Sequence, residues 1–472
     1  MEAGKVVLNK RKAILSVCAI ALAIILAPGC RKKHSGAWSK SELATGGAPA
    51  MRVVWCRQVT GDATDVGAEG LELQLMGLDT KDGNGPHPII KRTGNFHKPL
   101  ITPKGDRVVY TELPQRRIFV TDWHGSRTAQ VESGVAVDVW MEPGTGREWV
   151  YAINADSLKD NDAGKPVFRF LLDDPFTKET VWDKTLVNES NFQLSRDGTR
   201  ACGNLPWPDV GVVDLVRTNA LILGKGCWPS IAPDNSYITW IFDGPHRNLI
   251  MASADGKNKW KVAINGASGV DGWEVYHPRW GNHARYFTLT GPYKSGDGDN
   301  KIRAGGQGVE VFVGRFDETL SKVEAWLRVT SDPFLDVYPD VWVEPGVGKD
   351  DRNMAARVES FALPDAARVE LKGRLAAKTA IPSLKTIAPY TQALVVYVYD
   401  VVEVKSGKLA ARKILVAHWG VRNAKPVSRE RKLGDVFDLK VERYEAHPEL
   451  EGERVVSDVG DAGAALYYEV TQ

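Results

Sequence analysis

The 472-residue chain carries almost no net charge. Its 61 Lys and Arg residues are balanced by 59 Asp and Glu residues, which gives a formal charge of +2 at pH 7. Proteins that bind nucleic acid neutralise phosphates with an excess of basic side chains. The sequence gives no electrostatic basis for such binding, and we predict no nucleic-acid partner.

Motifs that mark common catalytic and cofactor sites are missing. The sequence contains no Gly-x-Ser-x-Gly nucleophile elbow, no His-x-His and no Cys-x-x-Cys, the patterns that would indicate a serine hydrolase or a metal site. The glycine-rich stretch 305–308 lacks the strand and helix that flank a phosphate-binding loop. The sequence therefore predicts no cofactor, no metal and no catalytic residue, and favours a binding protein over an enzyme.

Long apolar runs are also scarce, and the informative one lies at the N-terminus. A basic leader, 5–12, precedes an uncharged apolar run, 13–28, which is short for the roughly 20 residues that span a bilayer. The run ends in Leu26-Ala-Pro-Gly-Cys30, which resembles a bacterial lipobox with Ala27 where Leu is more usual. We expect residues 1–30 to be a lipoprotein signal peptide with Cys30 as the lipidated residue. An uncleaved anchor helix and ordinary signal cleavage are the alternatives.

Lipidation at Cys30 would make the membrane a partner through the N-terminal lipid. The protein would then be exported and membrane-anchored, in the periplasm or at the cell surface. Residues 31–50 have the composition of a linker: a basic cluster followed by Ser, Gly and Ala with few apolar residues.

Only five cysteines are present. Besides Cys18 in the signal and the proposed lipid site, three remain. In an oxidising exported compartment Cys202 and Cys227 are candidates for a disulfide. Three unpaired, buried cysteines are the alternative, and sequence does not decide between them.

Glycine and proline are plentiful, with 45 and 25 copies, which favours strands and turns over helices. One phrase recurs: a short apolar segment, a turn rich in Pro, Asp and Gly, and an alternating strand. Its spacing of roughly 40 to 60 residues is typical of propeller blades with loop insertions. The equivalent turn positions are Thr102, Glu142, Ser195, Ala232, Gly281 and Glu344.

This phrase resembles the WD-like repeat of TolB-type β-propellers, Pro-x-Trp-Ser-Pro-Asp-Gly-x-x-Ile-Ala-Phe, over about residues 50–345. The copy at 278–287 lacks the Pro-Asp-Gly turn, and the copies at 142 and 344 lack its Asp. The resemblance implies an all-β fold with a six-bladed propeller over residues 51–350. The repeat stops after Glu344 without its later strands, so we predict that 337–343 closes the ring by pairing with N-terminal strands.

The repeat is absent from the last part of the chain, residues 356–472. Five strands are expected there: Val369 to Ala377, Ala393 to Val404, Lys413 to Val421, Val436 to Tyr444 and Ala465 to Val470. They predict a small β-barrel or sandwich, with an OB-like barrel as the first choice. The acidic stretch 446–453 is expected to be a solvated loop.

Candidate functional residues collect on loops that a propeller brings to one face of its channel. Aromatic rings there would stack on a sugar or a peptide side chain, and the arginines would hold a carboxylate. The predicted ligand-binding residues are Trp228, Asp243, His246, Arg247, Trp273, His277, Arg279, Tyr293, Lys294 and Asp340. The alternative is structural: tryptophans that pack blades, His246 bonded to Asp243, and Arg279 paired with Asp340.

The function predicted from these features is a cell-envelope lipoprotein that acts as a binding scaffold for an envelope protein or glycan through this face. The alternative is a carbohydrate-active enzyme, a hydrolase or a metal-dependent enzyme like the oligosaccharide lyases built from similar repeats. His246, His277 and His283 are the metal ligands that this alternative would use, although His283 occupies a turn position.

The lipid anchor gives the first testable prediction. Cys30→Ala should leave an unprocessed precursor and abolish labelling by a radioactive or clickable fatty acid, because the thiol is the acceptor. Cys18→Ala is the matched control and should be processed normally, since Cys18 lies within the apolar run. Labelling that persists in Cys30→Ala would rule out the lipobox.

Overall fold

The computed structural model describes an all-β chain. The described residues are 36–37, 49–60, 72–154, 163–164, 166–189, 191–293, 308–344, 367–388, 390–427, 431–459 and 465–470. Cys30 and Lys294 lie outside them. Among the described residues, helix is limited to α1 (Leu384–Ile387) and two 3-10 turns, Tyr444–Ala446 and Pro448–Leu450. Within the described ranges, no helix has the length and apolarity needed to cross a membrane.

Six sheets form the blades of a propeller, and each is built on four antiparallel strands. Blade 1 contains β2 (Ala50–Gln58), β3 (Leu73–Asp79), β4 (His87–Pro88) and, from the far end of the propeller, β27 (Leu335–Glu344). Blade 2 contains β5 (Phe96–Ile101), β6 (Arg107–Glu112), β7 (Arg117–Asp122) and β8 (Thr128–Ser133). Blade 3 contains β9 (Val135–Met141), β10 (Glu148–Ile153), β12 (Val167–Leu171) and β13 (Asp174–Trp182).

The remaining blades follow in chain order. Blade 4 contains β15 (Phe192–Leu194), β16 (Arg200–Asn204), β17 (Asp209–Asp214) and β18 (Asn219–Lys225). Blade 5 contains β19 (Cys227–Ile231), β20 (Thr239–Phe242), β21 (Asn248–Ala252) and β22 (Lys259–Ala263). Blade 6 contains β23 (Glu274–Trp280), β24 (Tyr286–Tyr293), β25 (Glu310–Phe316) and β26 (Val323–Arg328), with β1 (Gly36–Ala37) added in parallel to β26. A separate two-stranded pair joins β11 (Ala163–Gly164) to β14 (Val187–Asn188).

The predicted closure of the ring is confirmed. Strand β27 pairs antiparallel with β2, with Asp340 opposite Val54 and Val343 opposite Met51. Blade 1 thus takes one strand from the end of the propeller and three from its beginning. This pairing joins the first and last parts of the repeat region, and it leaves no open sheet edge between them.

Two tryptophans of the repeat lock one blade onto the next. Trp140 Nε1 donates to the Arg196 carbonyl at 3.0 Å, and its ring covers Gly198 in the turn of the following blade. Trp342 repeats the arrangement over Gly105, which has a φ of +77°. A Cβ at Gly198 would lie 2.4 Å from the Trp140 ring. These turns need glycine both for the positive φ and for the space that the indole occupies.

The C-terminal region is a closed five-stranded barrel. Its strands are β28 (Val369–Lys378), β29 (Ala393–Ser406), β30 (Lys413–Arg422), β32 (Val436–Arg443) and β34 (Leu466–Glu469). They close in the order β28, β29, β30, β34, β32 and back to β28, with β30 and β34 parallel. Short strands β31 (Lys425–Pro426) and β33 (Arg454–Val456) extend the sheet. This Greek-key closure confirms the predicted OB-like barrel.

A buried polar network fixes the last strand of the barrel. Glu469 accepts hydrogen bonds from Arg431 at 2.7 Å and lies 2.8 Å from His418 Nδ1. The Tyr399 hydroxyl accepts a hydrogen bond from Arg431 Nη1 at 2.6 Å. Burial opposes the ionisation of Glu469, yet His418 and Arg431 lower its pKa to about 2.

This network gives a prediction for acid stability. Glu469→Gln should destabilise the protein at pH 7 by about 3 kcal/mol, because it leaves the buried Arg431 without its anion. The folded pKa of Glu469 lies below its usual value, so its contribution is present above that value and is lost as pH falls through about 2. Urea titrations from pH 7 downward should show the variant and the native protein converging. A constant difference across that range would contradict the ionic role.

The tryptophan-covered turns give a second stability prediction. Gly198→Ala should cost more than Gly144→Ala, although both residues have positive φ, +69° and +84°. A methyl group at Gly144 meets nothing within 4 Å, so only the backbone cost of about 1–2 kcal/mol applies. At Gly198 the contact with Trp140 adds roughly 1–3 kcal/mol. Equal losses in denaturant titration would show that the ring moves aside freely.

Candidate functional site

Four inner strands share an unusual backbone feature at the same depth of the channel. Each contains a residue with positive φ immediately before a proline, and the ladder with the neighbouring strand shifts register there. The residues are Lys98 (φ +44°), Trp228 (+44°), His277 (+55°) and Tyr338 (+53°). Positive φ is uncommon for residues with a Cβ and is strained for bulky ones. These X-Pro bulges re-aim four large side chains.

The four side chains meet in one cavity of about 30 Å³ in the channel, which is room for one or two water molecules. Its remaining walls come from Pro99, Leu100, Ala136, Val137, Asn191, Pro278, Arg279 and Pro339. Rings and prolines make most of this surface apolar, and polar groups are concentrated at a few points.

Ring contacts hold the cluster together. The His277 ring lies 4.9 Å from Trp228 and 4.5 Å from Tyr338 between centroids. Lys98 Nζ lies 5.0 Å from the Trp228 ring centre and donates to the Glu189 carbonyl at 2.7 Å. The site therefore combines aromatic faces with a cation that lies directly over one of them.

The floor of the cavity is a buried ion triad. Arg279 donates to Asp138 at 2.8 Å and to Asn191 at 2.9 Å, and its Nε lies 3.4 Å from Asp340. Burial raises the pKa of Asp138 to about 6 and raises that of Asp340, against the opposing effect of Arg279. The alternative expected for Arg279, an internal pair with Asp340, is present in the structure and includes a second carboxylate.

The triad also ties the blades to each other. Asp340 accepts from the Ile101 amide, and Asp138 accepts from the Leu194 amide, each at 2.8 Å. On the other side of the channel Ser230 donates to Gln193, whose side chain donates to the Trp280 carbonyl at 3.2 Å. Polar contacts at one level thus connect all six inner strands.

The turn 243–247 does not face the channel with these residues. Asp243 is buried and accepts from the Arg247 and Asn248 amides at 2.8 and 3.0 Å, which fixes the turn. His246 stacks on Phe242 with centroids 4.9 Å apart and faces the barrel. The Tyr276 ring packs on both His246 and His277, with centroids 4.4 and 6.3 Å apart.

The barrel occupies the sector of the loop face above blades 4 to 6. Arg454, only 1% exposed, reaches from β33 to Glu274 with two contacts of 3.0 and 2.8 Å and to the Gly244 carbonyl at 3.1 Å. The Glu451 carbonyl accepts from the Gly244 amide at 2.8 Å. The stretch 446–453 was expected to be a solvated loop; it is instead part of this contact, with Leu450 buried.

The fit between the two domains is close. A Cβ at Gly244 would lie 1.9 Å from the Glu453 carbonyl oxygen, and one at Gly452 would lie 2.5 Å from Lys225 Cβ. Burial opposes the ionisation of Glu274, yet Arg454 and His246 keep its pKa below the usual value. Burial and the nearby Arg454 lower the pKa of His246. The interface therefore contains an ionised Glu–Arg pair next to a neutral imidazole.

The structure does not form the disulfide considered between Cys202 and Cys227; both are free thiols. Cys202 packs with Ile231 and Ile241 in the core between blades 4 and 5. Cys227 Sγ instead lies 3.8 Å from His246 Nε2 and 3.8 Å from the Tyr390 hydroxyl. The two thiols belong to different packed clusters, and burial raises the pKa of Cys227 to about 12.

The other predicted residues have mixed positions. Tyr293 packs on Tyr276 with centroids 4.6 Å apart, and Trp273 lies half-buried in the loop before β23. His283 lies in the turn after β23, where burial lowers its pKa to about 4. The histidine trio of the metal-enzyme alternative is not assembled, and no group of three or more potential metal ligands converges among the described residues.

Sequence reasoning missed half of the channel cluster. Lys98 and Tyr338 carry the same signal as the predicted Trp228 and His277, namely the X-Pro dipeptide at one point of the repeat. Aligning those dipeptides across the copies would have found them. Asp138 follows the same strand pattern as Asp340. No local signal marks Tyr390 or Arg454.

Several solved structures are similar to part of this chain. Neither a protein family model nor a curated protein matches the chain. Among solved structures, TolB from Acinetobacter baumannii is 12% identical with a TM-score of 0.42, over 65% of this chain and 70% of that one. An oligogalacturonate lyase in complex with manganese is 12% identical with a TM-score of 0.32, over 61% and 75%. A nidogen/laminin complex is 9% identical with a TM-score of 0.37, over 60% and 99%.

The repeat and the six blades agree with each other. The described residues form a six-bladed propeller. The identities are low, so the function has to be inferred from the side chains of this chain.

The ion triad under the cavity gives a prediction. Arg279→Met should destabilise the protein by roughly 3–5 kcal/mol, because two buried carboxylates lose their cation. Arg147→Met is the control: Arg147 pairs with Glu142 in an exposed turn, where an ion pair contributes at most about 1 kcal/mol. Urea titrations of both variants measure the difference. Similar small losses would mean that the triad is not a structural centre.

Proposed function

We propose that this protein is a binding protein of the cell envelope whose ligand docks at the mouth of the propeller channel. The observation that carries the proposal is the set of four X-Pro bulges that aim Lys98, Trp228, His277 and Tyr338 into one cavity. Strained backbone persists only where the surrounding structure enforces it, and it is concentrated at functional sites. Four repetitions in one ring are more than blade packing requires.

The chemistry of the cluster favours an extended chain over a compact small molecule. The cavity of about 30 Å³ admits only an end group or a single side chain, so most of the ligand would lie across the rim. Aromatic faces bind apolar or sugar faces, and Lys98 supplies a cation for an acidic group.

An envelope protein or glycan meets these requirements. The predicted lipid at Cys30 would hold the propeller near a membrane, where such chains are found. This assignment rests on the N-terminal sequence and on the channel chemistry.

Binding is tested by capture from detergent-solubilised membranes with the lipidated protein. Trp228→Ala should reduce the captured amount about tenfold or more, the effect expected for truncation of an aromatic anchor. Trp419→Ala is the matched control, since this half-buried tryptophan lies on the barrel and bonds Tyr468. Unchanged capture by a folded Trp228→Ala protein would remove the site.

The alternative proposal, a carbohydrate-active enzyme, has one supporting observation. Asp138 lies in the ion triad at the floor of the cavity, and burial raises its pKa to about 6, as a general acid requires. Release of reducing ends from envelope polysaccharide by the native protein, abolished in Asp138→Asn, would favour the enzyme. Capture without any cleavage would favour the binding protein.

A further inference from the structure

The barrel touches the propeller at the two inner strands that carry the channel residues Trp228 and His277. Tyr390 contacts Cys227, the residue before Trp228. Arg454 binds Glu274, at the start of the strand that contains His277. The Tyr390 ring also packs against Trp207 of blade 4 with centroids 5.1 Å apart. These contacts place the barrel directly above half of the cluster.

A directed chain of hydrogen bonds leads from Arg454 toward Trp228. Arg454 Nη1 lies 3.4 Å from His246 Nδ1. A guanidinium only donates, so His246 Nδ1 accepts in that contact. Nδ1 also lies 3.6 Å from Glu274 Oε2, and the other ring nitrogen of His246 is Nε2. That nitrogen lies 3.4 Å from the Tyr390 hydroxyl, which donates to Cys227 Sγ at 3.8 Å.

A second route leads from His246 toward His277. The Tyr276 ring packs on His246 at 4.4 Å and on Tyr293 at 4.6 Å between centroids. The Tyr293 hydroxyl lies 2.9 Å from Thr290 Oγ1, which lies 2.9 Å from His277 Nδ1. Every step is a packed or hydrogen-bonded contact.

We propose that the C-terminal barrel positions the ligand-binding side chains of the channel, with Arg454 and Tyr390 as its positioning residues. This inference rests on the proposed binding function and adds how the binding side chains are held in position. Both routes end at bulges with positive φ, where the backbone needs support from neighbouring groups. A change in how the barrel docks therefore changes the positions of the Trp228 and His277 rings.

The test uses the full chain labelled with 5-fluorotryptophan and needs no ligand. Trp228→Phe identifies the Trp228 resonance in the ¹⁹F spectrum. Arg454→Met, Glu274→Gln and Tyr390→Phe should each shift that resonance beyond its linewidth. Arg368→Met is the matched control, because Arg368 pairs with Glu442 within the barrel, and it should leave the resonance in place.

Tyr390→Phe removes a single hydroxyl, so it keeps the test valid if Arg454→Met fails to fold. An unmoved Trp228 resonance in folded Tyr390→Phe and Glu274→Gln would overturn the proposal. A shifted resonance together with weaker membrane capture by Tyr390→Phe supports it, and a shifted resonance with unchanged capture overturns the positioning role. Failure of Trp228→Ala to affect capture would refute the binding function separately, because the spectrum is recorded without ligand.

Discussion

The ion pairs of the half-buried Arg279, which lines the channel cavity, are the interaction on which the propeller depends. Arg279 of blade 6 bridges Asp138 of blade 3 and Asp340 of blade 1. Each carboxylate also accepts a hydrogen bond from a backbone amide of the next blade. Taking three charges out of water is costly and is offset only when every group is bonded. The ring of six blades brings the three charges together, so closure of the ring and formation of the triad depend on each other.

The same level of the channel defines the candidate site. The charged groups of Arg279, Asp138 and Asp340 are already bonded between blades. Above them, the X-Pro bulges direct Lys98, Trp228, His277 and Tyr338 inward. A recognition surface on a closed floor is suited to an end group, whereas an open channel would admit a chain passing through.

The fold was largely predictable because its signals are local and repeated. The turn phrase places every inner strand, and the missing strands after Glu344 predict the closure through β2 and β27. The C-terminal strands follow from alternation, and their closure into an OB-like barrel was confirmed. The site was only partly predictable. Arg454 and Glu274 are separated by 180 residues, and no periodicity or motif connects a barrel strand to a propeller loop.

The docking of the barrel changes how the loop face is interpreted. Among the described residues, its contacts fall on blades 4 to 6, at Trp207, Gly244 and Glu274. Two glycines face the opposite domain so closely that no Cβ fits, as in a permanent interface. His246 therefore belongs to the contact between domains and leaves the ligand set. Recognition then depends on the channel cluster, whose rings the barrel supports from one side.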